Sequence, residues 1–406
     1  MTLSDFATFK TELIGQLMKE SKKSLEIIDE NSKLVEFYLN NEDLTYVKIF
    51  INDFNNVVLN PRIEKYKLLK KVLDHKLFTN VLEQFRNSDI LIKACKIGNK
   101  KTIEWLLTMD INFEVQDEFG RTALMYAVKK TILNFVVKKI MKSNGNDIHL
   151  VDKKGNNALF HAAENIITFR EFLKYKNIFD LNYKNKDNED ILMYCCRYGK
   201  IQSVEFFDFI CKYVNVDPYY INSEGKTIPM YLAEHFKYRE IRNLAKKCNF
   251  DPNFKTEFGY TLVNCLIKKY YEVYTEKIKE TKGFGLNYQF FKSALITFVT
   301  LVEMGCDINE SIDEEGTTMT LILLKLRDIV TYSYLVSNGA KEYPLLIEDR
   351  TNPNDKYPGV DITDPIIIEN LKTTQKWLKE GLADNNHQTI AKFSELVNKN
   401  WFFDVI

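Results

Sequence analysis

A pattern of about 33 residues that returns along the chain limits this sequence to a repeat architecture. Its clearest copy runs through Ala94-Cys95-Lys96-Ile97-Gly98-Asn99, Ile103-Glu104-Trp105-Leu106-Leu107, Asp110-Ile111-Asn112 and Asp117-Glu118-Phe119-Gly120-Arg121-Thr122-Ala123-Leu124. Two small residues let a first helix lie close to its neighbour, and Gly98 permits the left-handed conformation that ends it. Ile103, Leu106 and Leu107 recur at helical spacing and form the apolar face of a second helix. Asp110 to Gly120 then leaves helix geometry for an extended, hairpin-like turn. The turn glycine returns at Gly155, Gly225, Gly259 and Gly316, and Asp110-Ile111-Asn112 is echoed at Asp147, Asp180, Asp217, Asp251 and Asp307.

Gly120-Arg121-Thr122-Ala123-Leu124-Met125-Tyr126-Ala127 and Gly155-Asn156-Asn157-Ala158-Leu159-Phe160-His161-Ala162-Ala163 resemble the Gly-x-Thr-Pro-Leu-His-x-Ala-Ala element of the ankyrin repeat family. The resemblance implies an all-α solenoid of helix-turn-helix units joined by hairpin-like loops and capped by atypical helices at both ends. It departs from the family consistently. The helix-opening proline is not kept, the histidine is replaced by Met125, Phe160, Met193, Met230, Asn264 and Leu321, and the fourth unit carries Asn188 where the others carry glycine.

A solenoid buries each unit only against its neighbours, so 406 residues do not require two cores. Residues 1–85 read as a helical cap containing a divergent repeat (Leu34-Val35 with Val47, Phe50 and Ile51), and the helical stretch from Asn60 to Phe85 fits no repeat. Residues 86–342 form about seven units, of which the sixth, 256–312, is too long. Its excess holds Tyr270, Tyr271, Tyr274 and Tyr288 beside Gly283-Phe284-Gly285, which reads as two lengthened helices joined by a glycine loop. Residues 343–365, with Pro344, Pro353, Pro358 and Pro365, are a loop, and 366–406 are a helical C-terminal cap opened by Thr363-Asp364-Pro365.

The charge balance argues against nucleic acid as partner: Lys+Arg and Asp+Glu are equal at 56 each, so no global field attracts a polyanion. No basic segment followed by an apolar run opens the chain and no eighteen-residue apolar window occurs, so neither a signal peptide nor a membrane span is expected. The seven cysteines have no paired spacing. Cys95, Cys195 and Cys196 fall where another unit has Ala162 and Ala163, which points to packing in a reducing interior, cytoplasmic or nuclear. The five histidines lack metal-ligand spacing, and His161 is expected on the exposed side of a first helix. With no nucleophile elbow, Walker loop or zinc-hydrolase motif, the sequence predicts no enzyme, catalytic residue, metal or cofactor.

What the ankyrin resemblance does imply is a surface, made of loop tips and first helices along one concave face, on which a protein partner docks. Projected onto this sequence it selects Glu118, Phe119, Arg121, Lys129, Lys130, Lys153, Lys154 and Asn156, then Lys186, Asp187, Glu189, Tyr198, Glu224, Lys226, Glu257, Phe258 and Tyr260. Mixed charge along these loops predicts a protein partner and an affinity that falls gently with salt. Phe119, Tyr198, Phe258 and Tyr260 are either binding anchors or packing rings. The chain is expected to be a monomeric interaction scaffold, with an alternative as a ubiquitin-ligase substrate adaptor whose C-terminal helices recruit the ligase.

Overall fold

The computed structural model describes residues 2–128, 134–142, 146–163, 166–173, 180–280, 288–326 and 328–343. Lys129, Lys130, the Gly283-Phe284-Gly285 loop, nearly all of the proline-rich segment and the C-terminal cap lie outside these residues. Within them every regular element is helical. The chain divides into two compact units, residues 1–186 and residues 187 onward.

The first unit opens with α1 (Leu3–Met18), which Thr2 and Asp5 start by a reciprocal cap and which buries Phe6, Phe9, Leu13 and Leu17 at helical spacing. Next come α2 (Lys23–Glu30), α3 (Ser32–Leu39), α4 (Thr45–Leu59), α5 (Tyr66–Leu73), a 3-10 turn (Lys76–Phe78) and α6 (Thr79–Arg86). Aromatic contacts bind this region together. Phe50 meets Phe54 at 6.0 Å and Phe78 at 5.4 Å, and Phe54 meets Phe85 at 5.6 Å, all four rings being buried.

Helix pairs then repeat. The first unit holds α7 (Ile90–Ile97) with α8 (Lys100–Leu106), α9 (Ala123–Ala127) with α10 (Asn134–Lys142), and α11 (Ala158–Ala162) with α12 (Ile166–Leu173). The second unit holds α13 (Ile191–Arg197) with α14 (Val204–Ile210), α15 (Ile228–Glu234) with α16 (Tyr238–Cys248), α17 (Leu262–Glu280) with α18 (Tyr288–Glu303), and α19 (Met319–Leu326) with α20 (Ile329–Ser337). Within each unit the opening helices pack side by side: α7, α9 and α11 in the first, α13, α15, α17 and α19 in the second. In the second unit α14, α16, α18 and α20 form another layer behind them.

Small residues make that side-by-side packing feasible: Ala94, Cys95, Ala127, Ala162, Cys195, Cys196 and Ala233 are all buried on the opening helices. All seven cysteines are free thiols, and burial pushes Cys265 and Cys306 up to about 12. Thr122 and Asp190 cap their helices by accepting from Met125 N and Met193 N. The absence of a helix-opening proline has one qualification, since Pro229 sits in the first turn of α15, one position beyond the family's.

The long sixth pair owes its length to its helices, 19 and 16 residues against seven in α13 and α14. Its tyrosines pack. Tyr270 is buried, edge-on to Phe298 at 5.2 Å, and its hydroxyl donates to Asp328 Oδ2 at 2.6 Å. Tyr274 is buried as well, and Tyr271 is exposed.

Two stability outcomes follow from the backbone and the packing. Gly155 has φ +79°, and a Cβ there would stand 2.8 Å from Lys186 N, so Gly155→Val should cost about 1–2 kcal/mol or more. Asn188, which replaces the glycine, holds φ +61°, so Asn188→Gly should change stability by only a few tenths of a kcal/mol. Urea denaturation midpoints test both, and equal midpoints for Gly155→Val and the parent would refute the turn assignment. Cys196→Phe should cost about 1–3 kcal/mol by overpacking while Cys196→Ala is milder. Rapid reaction of Cys195 and Cys196 with a thiol reagent in the native protein would contradict their burial.

Candidate interaction surface

Three of the hairpins are each built on one polar side chain. Asp117 Oδ1 accepts from Phe119 N and Arg121 N, both at 2.9 Å, while Asp117 N donates to Arg121 O and Gly120 N to Asp117 O. Asp152 repeats this with Lys154 N and Asn156 N at 2.9 Å, and Asn222 with Glu224 N at 3.1 Å and Lys226 N at 3.2 Å. Asp and Asn suit the position because a short acceptor reaches two backbone N–H groups of its own turn. Successive loops are also tied by backbone. Phe119 O accepts from Lys153 N (2.9 Å) and Lys154 O from Lys186 N (3.1 Å) in the first unit, and Asp187 O accepts from Ser223 N (2.9 Å) in the second.

The second oxygen of each acid turns toward the opening helix, to a partner nine residues on. Asp117 Oδ2 takes Tyr126 Oη at 2.7 Å and Lys96 Nζ at 2.9 Å, and Asp152 Oδ2 takes His161 Nε2 at 3.0 Å. In the second unit Asn222 Nδ2 donates to Tyr231 Oη at 2.8 Å and to Glu189 Oε1 at 3.0 Å. The expectation of an exposed His161 is therefore corrected: its ring is buried because it completes Asp152. Partial burial pushes the Asp117 carboxyl up, but Lys96, Arg121 N, Tyr126 and Phe119 N outweigh it and hold the group down at about 2. Burial likewise opposes, and His161 and Asn156 N overcome, in lowering Asp152. Sequence reasoning missed these framework residues, although the recurrent Asp/Asn three positions before the turn glycine, with a polar ring six residues after it, is their signal.

The residues selected from sequence divide accordingly. In the first unit Glu118, Lys153, Lys154 and Lys186 are exposed, Phe119 is 50% exposed, and Arg121 is half-buried with its guanidinium 5.5 Å from the Phe119 ring centre. Asn156 is buried, accepting from Asn185 Nδ2 at 3.0 Å, so it belongs to the framework and not to the surface. Glu189 is corrected in the same way. It is 0% exposed and fully engaged by Arg197 Nη1 at 2.9 Å and Asn222 Nδ2 at 3.0 Å. Arg197 also binds Asp187 at 3.0 Å and Glu224, with its guanidinium 5.0 Å from the partly exposed Tyr198 ring.

Also in the second unit, Lys226 pairs with Glu234 at 2.6 Å and lies 5.1 Å from the half-buried Tyr260 ring. Glu257 is exposed, and Phe258 is 58% exposed while its ring covers Gly225. Among the described residues no group of His, Cys, Asp and Glu is arranged to hold a metal ion. No described helix is long and apolar enough to cross a membrane.

The family description "Ankyrin repeats (3 copies)" matches residues 56–137 and 131–219, which takes in α5 and α6 as well as the clear repeats. Residues 56–219 are ankyrin repeats. Two ankyrin repeat proteins of Acanthamoeba polyphaga mimivirus are similar to it. One is 29% identical over 159 residues, 36% of this chain and 27% of its own length, and the other is 33% identical over 94 residues, 23% of this chain and 54% of its own. The chain thus spans about a quarter and about half the length of these relatives. An ankyrin repeat domain from Acinetobacter baumannii AYE is similar in structure, with a TM-score of 0.40 and 18% identity over 55% of this chain and 100% of that one. Ankyrin repeats generally mediate protein–protein interaction.

The depressed Asp117 carboxyl has a pH consequence. With a folded value of about 2 against an ordinary 3.8, its stabilisation is fully present above 3.8 and is lost as pH falls from there through 2. Thermal midpoints between those limits should fall less steeply for Asp117→Asn than for the parent, after a lower start at neutral pH. Parallel curves would show that the inward bonds of Asp117 contribute nothing to stability.

Proposed function

We propose that this chain is a non-enzymatic interaction scaffold, acting as a monomer in a reducing compartment, cytoplasmic or nuclear, and binding another protein through its hairpin tips and opening helices. The observation that carries this reading is Phe119, an aromatic ring half in solvent on a tip whose backbone is fixed on both sides by Asp117 and by Lys153 N. An aromatic residue held in one place loses little entropy on binding and supplies the apolar area typical of interface anchors. Phe258 supplies a second such ring within the second unit. The free thiols, five of them buried, support a reducing compartment. The ligase-adaptor alternative depends on residues 366–406, outside those described, and no observation favours it.

An interaction screen with the full chain, followed by affinity measurement on the partner recovered, tests the proposal. Phe119→Ala should leave the melting midpoint close to the parent's, since the ring buries little on folding, and should weaken the partner by about thirtyfold, or 2 kcal/mol. A partner held equally tightly by Phe119→Ala and Phe258→Ala would move the site away from the hairpin tips.

A further inference from the structure

The carboxylates and lysines that alternate along the first unit's hairpins are sorted in space. Asp117 and Asp152 direct their oxygens inward, to their own turn N–H groups and to Lys96, Tyr126 and His161, and their side chains are only 7% and 3% exposed. Lys153, Lys154 and Lys186 stand outward in solvent. Lys186 holds this group together, because its backbone N–H donates to Lys154 O at 3.1 Å and its Nζ to Lys153 O at 3.0 Å. Across residues 117–121, 152–156 and 185–186, Glu118 is the one exposed carboxylate. Phe119 and the Arg121 guanidinium border the lysines, since Phe119 O accepts from Lys153 N.

We infer that this patch receives an acidic segment of the protein partner, with an apolar side chain of that segment seated against Phe119. The inference rests on the protein-binding reading above and adds the chemistry of the partner. Charge complementarity selects the occupant: Lys153, Lys154 and Lys186 outnumber Glu118 at these tips, while Asp117 and Asp152 are turned inward and Asp187 is paired with Arg197, so the patch attracts an anionic chain. A protein is favoured over nucleic acid because the cations are confined to two adjacent loop tips beside an apolar ring and an exposed glutamate, whereas phosphate binding draws on a longer basic stripe. The salt dependence at these tips is steeper than the mixed sequence suggests, since solvent-exposed charges are screened.

The probe is a fluorescein-labelled glutamate-rich peptide carrying leucines, titrated by fluorescence anisotropy against the full chain, with a lysine-for-glutamate counterpart and a single-stranded oligonucleotide of similar length beside it. The glutamate peptide should bind, lose about tenfold or more in affinity to Lys153→Glu/Lys154→Glu, and weaken several-fold between about 0.05 and 0.2 M salt. The control Lys22→Glu/Lys23→Glu, an equal charge change at two exposed positions on or beside α2, should bind as the parent does. Matching melting curves show that the variants are folded. Absence of binding, equal loss in both double variants, or tighter binding of the lysine peptide would overturn the inference. So would an oligonucleotide bound more tightly than the peptide and lost with the same lysines. An interaction partner still weakened by Phe119→Ala while the glutamate peptide fails to bind would leave the protein-binding reading standing and remove only its acidic specificity.

Discussion

The structure depends on the need of a tight turn's backbone N–H groups for acceptors at a place where neither helix nor sheet supplies them. Asp117, Asp152 and Asn222 meet that need from within the turn, Thr256 Oγ1 does so for Tyr260 N at 3.1 Å, and Asp313 Oδ1 for Thr317 N at 2.9 Å. Leaving such a group unpaired typically costs about 1–3 kcal/mol, comparable with a sizeable part of a domain's net stability. The acceptor position is therefore restricted to short polar side chains, while the two residues after it point outward and are free to vary. Lys153-Lys154 and Ser223-Glu224 occupy those positions in two hairpins, whereas Glu118-Phe119 and Glu257-Phe258 place the same acidic-aromatic pair on two others.

Much of this was legible in sequence because the constraints act locally. Gly98 ends α7 at φ +83°, the turn glycines hold positive φ, and Asn188 substitutes for one of them, since all these depend on a residue's own conformational freedom. The small residues of the opening helices were readable for a similar reason, as their size alone decides how closely two helices approach. What failed was the direction of polar side chains. Asn156, Glu189 and His161 look like surface residues by type, yet each is buried because a partner elsewhere in the fold completes it. Composition also hid the sorting of charge: inward and outward carboxylates are identical in sequence, and only the partner nine residues on distinguishes them. The Asn60 to Phe85 stretch escaped the repeat reading although it lies within the residues 56–137 that match ankyrin repeats, because a ring cluster, Phe50, Phe54, Phe78 and Phe85, stands there in place of the small-residue signal found further on.

The Asp-x-Asn echo acquires a physical meaning in the second unit. Asn253 donates through Nδ2 to Gly305 O at 3.0 Å and accepts from Asp307 N at 2.6 Å. Asn309 repeats both bonds with Gly339 O at 3.0 Å and Lys341 N at 2.6 Å. A carboxamide serves because it offers a donor and an acceptor together, matching the carbonyl and N–H of the next loop, whereas a carboxylate offers only acceptors. The first residue of the echo acts within its own turn. Asp251 and Asp307 accept from the N–H two residues on, at 2.9 Å, and so shape the turn that aims the asparagine.

These bonds make each loop's satisfaction a property of its neighbour, which is the condition for nearest-neighbour coupling in a repeat array. The sixth pair strengthens that coupling with a buried polar contact. Burial pushes the Asp328 carboxyl up, and the group sits at a helix start where it accepts from Thr331 N at 3.1 Å while Tyr270 Oη donates to its other oxygen. Two isolated polar groups in that position would be costly, but each supplies what the other lacks, and the contact links α17 to the start of α20. A lengthened α17 is what brings this into existence, for Tyr270 lies beyond the reach of a helix as short as the seven residues of α15. Among the described residues of the lengthened helix, Tyr270 and Tyr274 are thereby committed to packing within the second unit.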